Sequence, residues 1–438
     1  MKNTIRSLVT EFLLSDSRQA RIRNQFEKKR QQAGYSHCLN VYIAIDDPAS
    51  YLLLQVLPEL KQRFGVELDV KTVKKRQLDM FPEPQLWDKN VLEDCQKMAG
   101  LYGLKAPMLV TENTQLLMQA SLQLVAWESK PDFLKLATSL FDAFWRESKS
   151  DVQNLLSGDM QLNRKLYVSQ LLKNEKLLKK GGHYLSATIN YGDEWYWGLE
   201  RLQHLENRLN SLIVSNHSDK LVKYDRLHKL YLPFSESAIT SQSRRMNLEI
   251  FFSVRSPYSY LGLMKSAKLA KHYNISLILK PVLPMMMRGL KVPPRKGLYI
   301  ALDTKREAKL LGLPFGKIAD PLGTGVERCY SLFEYAREEG KEIQYMQNFM
   351  RAVWGERTKS ETDSGLRKIV EESGLDWQKA KMLINNQGWK NWAKSNLEEL
   401  YSLGLWGVPC FRFSNTVVFG QDKLSFVEAE IRMSLDLE

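Results

Sequence analysis

The chain repeats itself at long range. Ile43-Ala44-Ile45-Asp46-Asp47-Pro48-Ala49-Ser50-Tyr51-Leu52 aligns without a gap on Phe252-Ser253-Val254-Arg255-Ser256-Pro257-Tyr258-Ser259-Tyr260-Leu261. In the same register Val66, Leu68 and Val70 face Ile275, Leu277 and Leu279, and Lys71 faces Lys280. Each copy reads as a short apolar strand, a helix opened by proline, and an alternating strand. Strands joined through a helix are parallel, with a right-handed crossover.

The ends of the copies correspond as well. Tyr184 to Asn190 and Glu194 to Trp197 read as strands around Gly192-Asp193, and Gly198-Leu199-Glu200-Arg201-Leu202 opens a helix. Pro409 to Phe413 and Thr416 to Phe419 read as strands around Ser414-Asn415, and Gly420-Gln421-Asp422-Lys423-Leu424 opens the last helix. Between these frames lie mainly helical stretches, about residues 78 to 178 and 284 to 400. Phe133, Leu136, Leu140 and Phe144 show the helical spacing. The order β-α-β, helical insertion, β-β-α predicts an α/β chain of two thioredoxin-like domains, each with an inserted helical subdomain. The expected boundaries are an N-terminal helical extension (1–36), a first domain (37–215), a polar surface linker (216–245) and a second domain (246–438).

The 438 residues carry a net charge of +13. The basic residues are scattered among acids, and no finger, repeat or aromatic RNA-binding pattern accompanies them, so no nucleic-acid partner is expected. The apolar run from Leu8 to Leu14 is broken by Thr10 and Glu11 and is not followed by a small-residue cleavage site, so it does not read as a signal peptide. Residues 3 to 30 read as a basic amphipathic helix that packs or caps. No membrane span is expected, and the expected compartment is the cytoplasm. Cys38, Cys95, Cys329 and Cys410 lie far apart with no C-x-x-C pair, against dithiol redox or zinc chemistry.

Four motifs in order carry a resemblance over nearly all of residues 246–438: Ser256-Pro257-Tyr258-Ser259-Tyr260-Leu261-Gly262, Pro293-Pro294-Arg295-Lys296-Gly297-Leu298-Tyr299-Ile300, Trp406-Gly407-Val408-Pro409 and Phe419-Gly420-Gln421-Asp422-Lys423-Leu424. This half resembles the kappa-class glutathione transferases and the bacterial 2-hydroxychromene-2-carboxylate isomerases, within the DsbA-like thioredoxin superfamily. The first half resembles the same fold more weakly. A tandem of two such domains departs from the usual single-domain enzymes.

By position alone Ser256 is a helix N-cap before a proline at the first helical position. A helix N-terminus also stabilises an anion. The resemblance implies that this anion is the thiolate of glutathione, held by the Ser256 hydroxyl as the catalytic group. Redox relatives carry a cysteine there. The resemblance further implies a cis-proline corner at Val408-Pro409, where the Val408 backbone pairs with the peptide part of glutathione. It places the γ-glutamyl end at Gln421 and Asp422, and the glycyl carboxylate near Lys296. The short Met285 to Lys291 loop, with Lys291 where the family often has asparagine, departs from the pattern. Cys410 reads as a small buried residue, and Trp354 as core or pocket wall.

The first half reads as catalytically degraded. Asp47 stands in place of Ser256, no proline occurs between Pro131 and Pro233, and Leu199-Glu200 replaces Gln421-Asp422. The resembling enzymes are commonly dimers, so the two halves are expected to pair as an intrachain pseudo-dimer, with a homo-oligomer also open. The functional expectation is a glutathione-dependent isomerase or transferase acting on a small aromatic electrophile. The thiolate would add to it; isomerisation would follow by rotation and elimination, and transfer would stop at the adduct. The alternatives are a non-catalytic scaffold on a duplicated thioredoxin fold and a DsbA-like disulfide oxidoreductase without C-x-x-C.

Overall fold

A computed structural model describes residues 2–74, 80–108, 113–146, 148–213, 221–234 and 245–437. The chain forms two compact units. Unit 2, Ala20–Arg226, precedes most of unit 1, which combines Met1–Gln19 with Leu227–Glu438. The expected N-terminal helix is two helices, α1 (Lys2–Leu14) and α2 (Asp16–Gln32). They break at Ser15, whose hydroxyl bonds back to the Phe12 carbonyl at 2.8 Å, the kind of local bond that competes with helix. Leu14 of α1 is fully buried in the core of unit 1. Ser7 bonds to the Ile318 carbonyl, and Glu11 pairs with Arg357.

Unit 2 contains β1 (Cys38–Ile43), α3 (Pro48–Phe64) and β2 (Glu67–Thr72), then a helical stretch and a hairpin. The helices are α4 (Pro84–Tyr102), α5 (Thr114–Trp127), α6 (Phe133–Trp145), α7 (Lys149–Leu155), α8 (Gly158–Leu162) and α9 (Arg164–Lys180). The hairpin is β3 (Thr188–Tyr191) and β4 (Glu194–Trp197), followed by α10 (Leu202–Leu212). The sheet order is β2-β1-β3-β4, with β1 and β2 parallel and the other neighbours antiparallel.

Unit 1 repeats the plan. β5 (Asn247–Phe252), α11 (Pro257–His272) and β6 (Ser276–Pro281) lead into α12 (Pro294–Leu310), α13 (Thr324–Ser331), α14 (Phe333–Glu338) and α15 (Glu342–Gly355). α16 (Asp363–Glu372), α17 (Trp377–Leu383) and α18 (Trp389–Ser402) follow, then β7 (Cys410–Phe413), β8 (Thr416–Phe419) and α19 (Leu424–Ser434). The order β6-β5-β7-β8 and the pairing senses match unit 2. Each sheet with its helices is a thioredoxin-like core, as the sequence pattern predicts. β3 starts later than the sequence suggests because Ala187 has φ 54°, outside the strand region.

The repeat extends to side chains. Ser50 and Ser259 occupy the same helical position, and each hydroxyl accepts the N–H of the residue after the first strand, Ala44 at 3.1 Å and Ser253 at 3.3 Å. Asn174 on α9 donates to the Thr72 carbonyl at 3.0 Å, and Asn396 on α18 donates to the Pro281 carbonyl at 2.9 Å. Thr72 and Pro281 are the matching last residues of the edge strands. The Thr72 N–H goes to Glu128 at 2.7 Å, whereas proline has no N–H to satisfy.

Of the expected linker, residues 216–220 and 235–244 lie outside the described residues. The part between, 221–234, is mostly at the surface and is tied down by hydrogen bonds. The buried Glu206 of α10 accepts the N–H groups of Lys223 and Tyr224 at 3.1 and 2.9 Å. Glu428, at the matching position of α19, accepts the Leu232 N–H at 2.8 Å and the Tyr273 hydroxyl at 2.7 Å. Tyr224 and Leu227 are buried.

Candidate functional site

The first turn of α11 is built by its sequence. Pro257 opens the helix and Ser256 caps it in extended backbone, its hydroxyl accepting the Ser259 N–H at 3.2 Å. The same hydroxyl reaches the Val408 carbonyl at 3.4 Å, so the α11 N-terminus and the Val408-Pro409 corner meet. The Val408-Pro409 bond is cis. Ser256 and Val408 are both partly exposed, and among the described residues nothing accepts the Val408 N–H.

Gly262 explains how closely helix and corner approach. A Cβ there would meet the Pro409 ring at 3.1 Å and the Phe411 ring at 2.9 Å. Only glycine lets the corner lie against the helix face. Pro409 in turn accepts the Gly420 N–H at 2.9 Å, joining the corner to the residues before α19.

Gln421 and Asp422 follow. Gln421 is 1% exposed, and its side chain is spent inward. It accepts from Lys265 Nζ at 2.9 Å and donates to Glu307 Oε2 at 3.0 Å, while Lys265 also bonds the Gln421 carbonyl at 2.7 Å. Neither its side chain nor its carbonyl is left to face a ligand. The Asp422 carboxylate folds back over Gly420, where a Cβ would meet Oδ1 at 2.7 Å. Lys296 sits in the first turn of α12, half-buried, and burial pushes its ammonium down to about 8. The Tyr258 hydroxyl holds α12 against the start of α11 through Asp303 at 2.7 Å. Lys296 lies two turns before Asp303, so it flanks the corner rather than forming it.

Ser256, Val408, Pro409 and the Gly420–Asp422 turn are thus joined by direct bonds or through their neighbours. Around them, Arg288 donates to the Trp406 carbonyl at 2.9 Å and pins the Met285 loop. Arg255 forms two bonds of 2.8 Å with Asp320. Trp354 is core: its indole N–H bonds the Val254 carbonyl at 3.1 Å and its ring stacks on Phe315. Cys410 is fully buried with its sulfur 3.0 Å from the Gly407 carbonyl oxygen. Lys265 and Glu307 were missed from sequence. The signal for Lys265 was its place one turn from Leu261 and Leu269, both core residues of α11, which puts a charge on the buried face.

Unit 2 closes the matching corner. Asp47 is 6% exposed and caps α3, accepting the Ala49 N–H at 3.1 Å. Its other oxygen accepts the hydroxyls of Ser50 at 2.8 Å and Ser186 at 2.7 Å. Ser186 and Ala187 stand where unit 1 has Val408 and Pro409, and Ala187 accepts the Gly198 N–H at 2.8 Å as Pro409 accepts that of Gly420. The helix N-terminus there already has an anion, the protein's own carboxylate. Among the described residues, no group of three or more His, Cys, Asp or Glu side chains is placed to hold a metal, and no helix is long and apolar enough to cross a membrane.

A family model for the DSBA-like thioredoxin domain matches residues 247–432. The 2-hydroxychromene-2-carboxylate isomerase of Pseudomonas putida is 22% identical over 192 residues, spanning 42% of this chain and 93% of that protein. Glutathione S-transferase kappa 1 of Homo sapiens is 27% identical over 200 residues, spanning 41% of this chain and 88% of that protein. A solved structure of a 2-hydroxychromene-2-carboxylate isomerase superposes with a TM-score of 0.39 at 22% identity, covering 44% of this chain and all of that one.

Proposed function

We propose, from the match of residues 247–432 to the DSBA-like thioredoxin domain and their similarity to the isomerase and the kappa transferase, that the chain is a glutathione-dependent isomerase or transferase acting on a small, aromatic electrophile. The carrying observation is the bond between the Ser256 hydroxyl and the Val408 carbonyl. It sets a hydroxyl at a helix N-terminus beside backbone open to an added strand.

The residues fit glutathione. The Ser256 O–H is spent on only one long bond of 3.4 Å and can turn to a sulfur anion. Both the helix N-terminus and that hydroxyl favour the thiolate over the thiol, which lowers a thiol pKa. The Val408 N–H and carbonyl suit the peptide portion. Asp422 suits an α-ammonium, and Lys296 a terminal carboxylate. When bound, glutathione supplies a sulfur nucleophile for addition to the electrophile. Ser256 holds negative charge at that sulfur, and the Val408-Pro409 backbone orients it.

Unit 2 lacks these features, and its Asp47 would repel a thiolate. Its place in the proposal is structural. The disulfide oxidoreductase alternative is disfavoured by the burial of Cys410 and the absence of a second cysteine near it in sequence. The test is calorimetric titration of the full chain with glutathione. One site per chain is expected, and loss of most affinity in Ser256→Ala. Absence of binding would contradict the proposal.

A further inference from the structure

Lys265 projects from the middle of α11 into the protein, 5% exposed. Its ammonium donates to the Gln421 carbonyl at 2.7 Å and to Gln421 Oε1 at 2.9 Å. The Gln421 amide donates to Glu307 Oε2 at 3.0 Å, and Glu307 lies 3.9 Å from His228 Nδ1. This chain of polar groups runs from α11 through the turn before α19 to α12. Taking a lysine and a glutamate out of water is unfavourable, and an apolar replacement of similar volume is often neutral or stabilising. The network therefore needs a reason beyond stability.

Unit 2 is an internal control. Its matching turn, Gly198-Leu199-Glu200, is held to Ala187 by the same backbone bond. Yet Lys265 is matched there by Val56 and Gln421 by Leu199, both buried apolar residues. The fold builds the turn without the ion. The lysine and glutamine occur together only in the unit whose Ser256 corner is open.

We propose that Lys265 is a positioning residue for ligand recognition. It grips both the backbone and the side chain of Gln421 and so fixes the Gly420–Asp422 turn in the orientation that receives the γ-glutamyl end of glutathione. Gln421 acts as the anchor of the turn, because its side chain and its carbonyl both belong to the network. Asp422, the next residue, is held in place to meet the α-ammonium group. The inference rests on the glutathione reading of this site and adds the element that selects a tripeptide with a γ-glutamyl group over a shorter thiol.

The experiment is calorimetry of the full chain with glutathione and, separately, with cysteinylglycine, which keeps the thiol and glycyl carboxylate but lacks the γ-glutamyl group. Two variants are compared with wild type: Lys265→Met, and the double variant Lys265→Val with Gln421→Leu that copies the apolar pair of unit 2. The double variant keeps the core filled, and thermal unfolding of both variants checks that each is folded before it is titrated. Glutathione affinity is expected to fall about 10-fold or more, the scale of one lost charge-assisted hydrogen bond. Cysteinylglycine affinity is expected to stay within about 2-fold, well under the 10-fold step. Equal loss for both peptides, or no loss for glutathione, in folded variants would overturn the role of Lys265 alone. Failure of wild type to bind either peptide would overturn the glutathione reading, and this inference with it.

Discussion

The Ser186 hydroxyl donates to Asp47 Oδ2 at 2.7 Å, at the place where the other unit sets Val408 against Ser256. One pair closes a corner and the other leaves it open. Asp47 also accepts from Ala49 N–H and the Ser50 hydroxyl, so its carboxylate serves three donors in buried surroundings. Asp47→Ala removes a helix cap and leaves buried hydroxyls without their acceptor. The expected cost is about 2–4 kcal/mol to the unit that carries it, read by urea unfolding. Glutathione affinity and the one-site stoichiometry should be unchanged.

Gly262 is the contact point between α11 and the Pro409 corner. A methyl group there has rigid neighbours, a proline ring at 3.1 Å and a phenylalanine ring at 2.9 Å. Gly262→Ala should cost about 1–3 kcal/mol, as overpacking does. The corner must shift away from Ser256, so glutathione affinity should fall as well. Thermal unfolding and calorimetry on the same sample check both.

The frame of this site was legible in the sequence, and its interior was not. Serine before proline before a helix, in a gap-free repeat, located the α11 N-terminus, and W-G-V-P located the corner facing it. Those are local patterns that survive in a linear reading. The side-chain assignment of Gln421 depended on which way an amide turns, and that is decided by Lys265 and Glu307, which lie far from it in sequence. The helix break at Ser15 and the docking of Leu14 in unit 1 also depend on tertiary packing, which overrides the continuous helical pattern of residues 3 to 30.

Lys296 gives a pH signature. Burial holds its ammonium at about 8, below the ordinary lysine value. The cation that would pair with a terminal carboxylate is therefore present below that pH and lost above it. Affinity for S-methylglutathione, which has no thiol to titrate, should fall as pH rises through about 8. In Lys296→Arg the guanidinium stays charged, so the fall should shrink to what the ligand's own α-amino group contributes. Calorimetry across that range is the check, with the difference between the two proteins as the readout.

Glu128 gives a pH signature in stability. Burial raises its carboxyl to about 7, despite the bonds from Thr72 N–H at 2.7 Å and Asn174 at 2.8 Å. The folded chain then holds a proton between 4.5, the ordinary value, and 7 that the unfolded chain has released. Its contribution to stability is greatest at the acid end of that window and declines as pH rises through it. Glu128→Gln keeps the accepting oxygen and should remove this slope, measured by denaturant unfolding at several pH values.

Ionisation of the bound glutathione sulfur reports directly whether Ser256 acts on a thiolate. The thiolate absorbs in the ultraviolet, so a pH titration of the complex reports its pKa. With the Ser256 hydroxyl and the α11 N-terminus acting on the sulfur, the bound thiol should ionise at least about one pH unit below free glutathione. Most of that shift should disappear in Ser256→Ala. A bound thiol that titrates like the free one, or a shift that Ser256→Ala leaves intact, would rule out this role for Ser256.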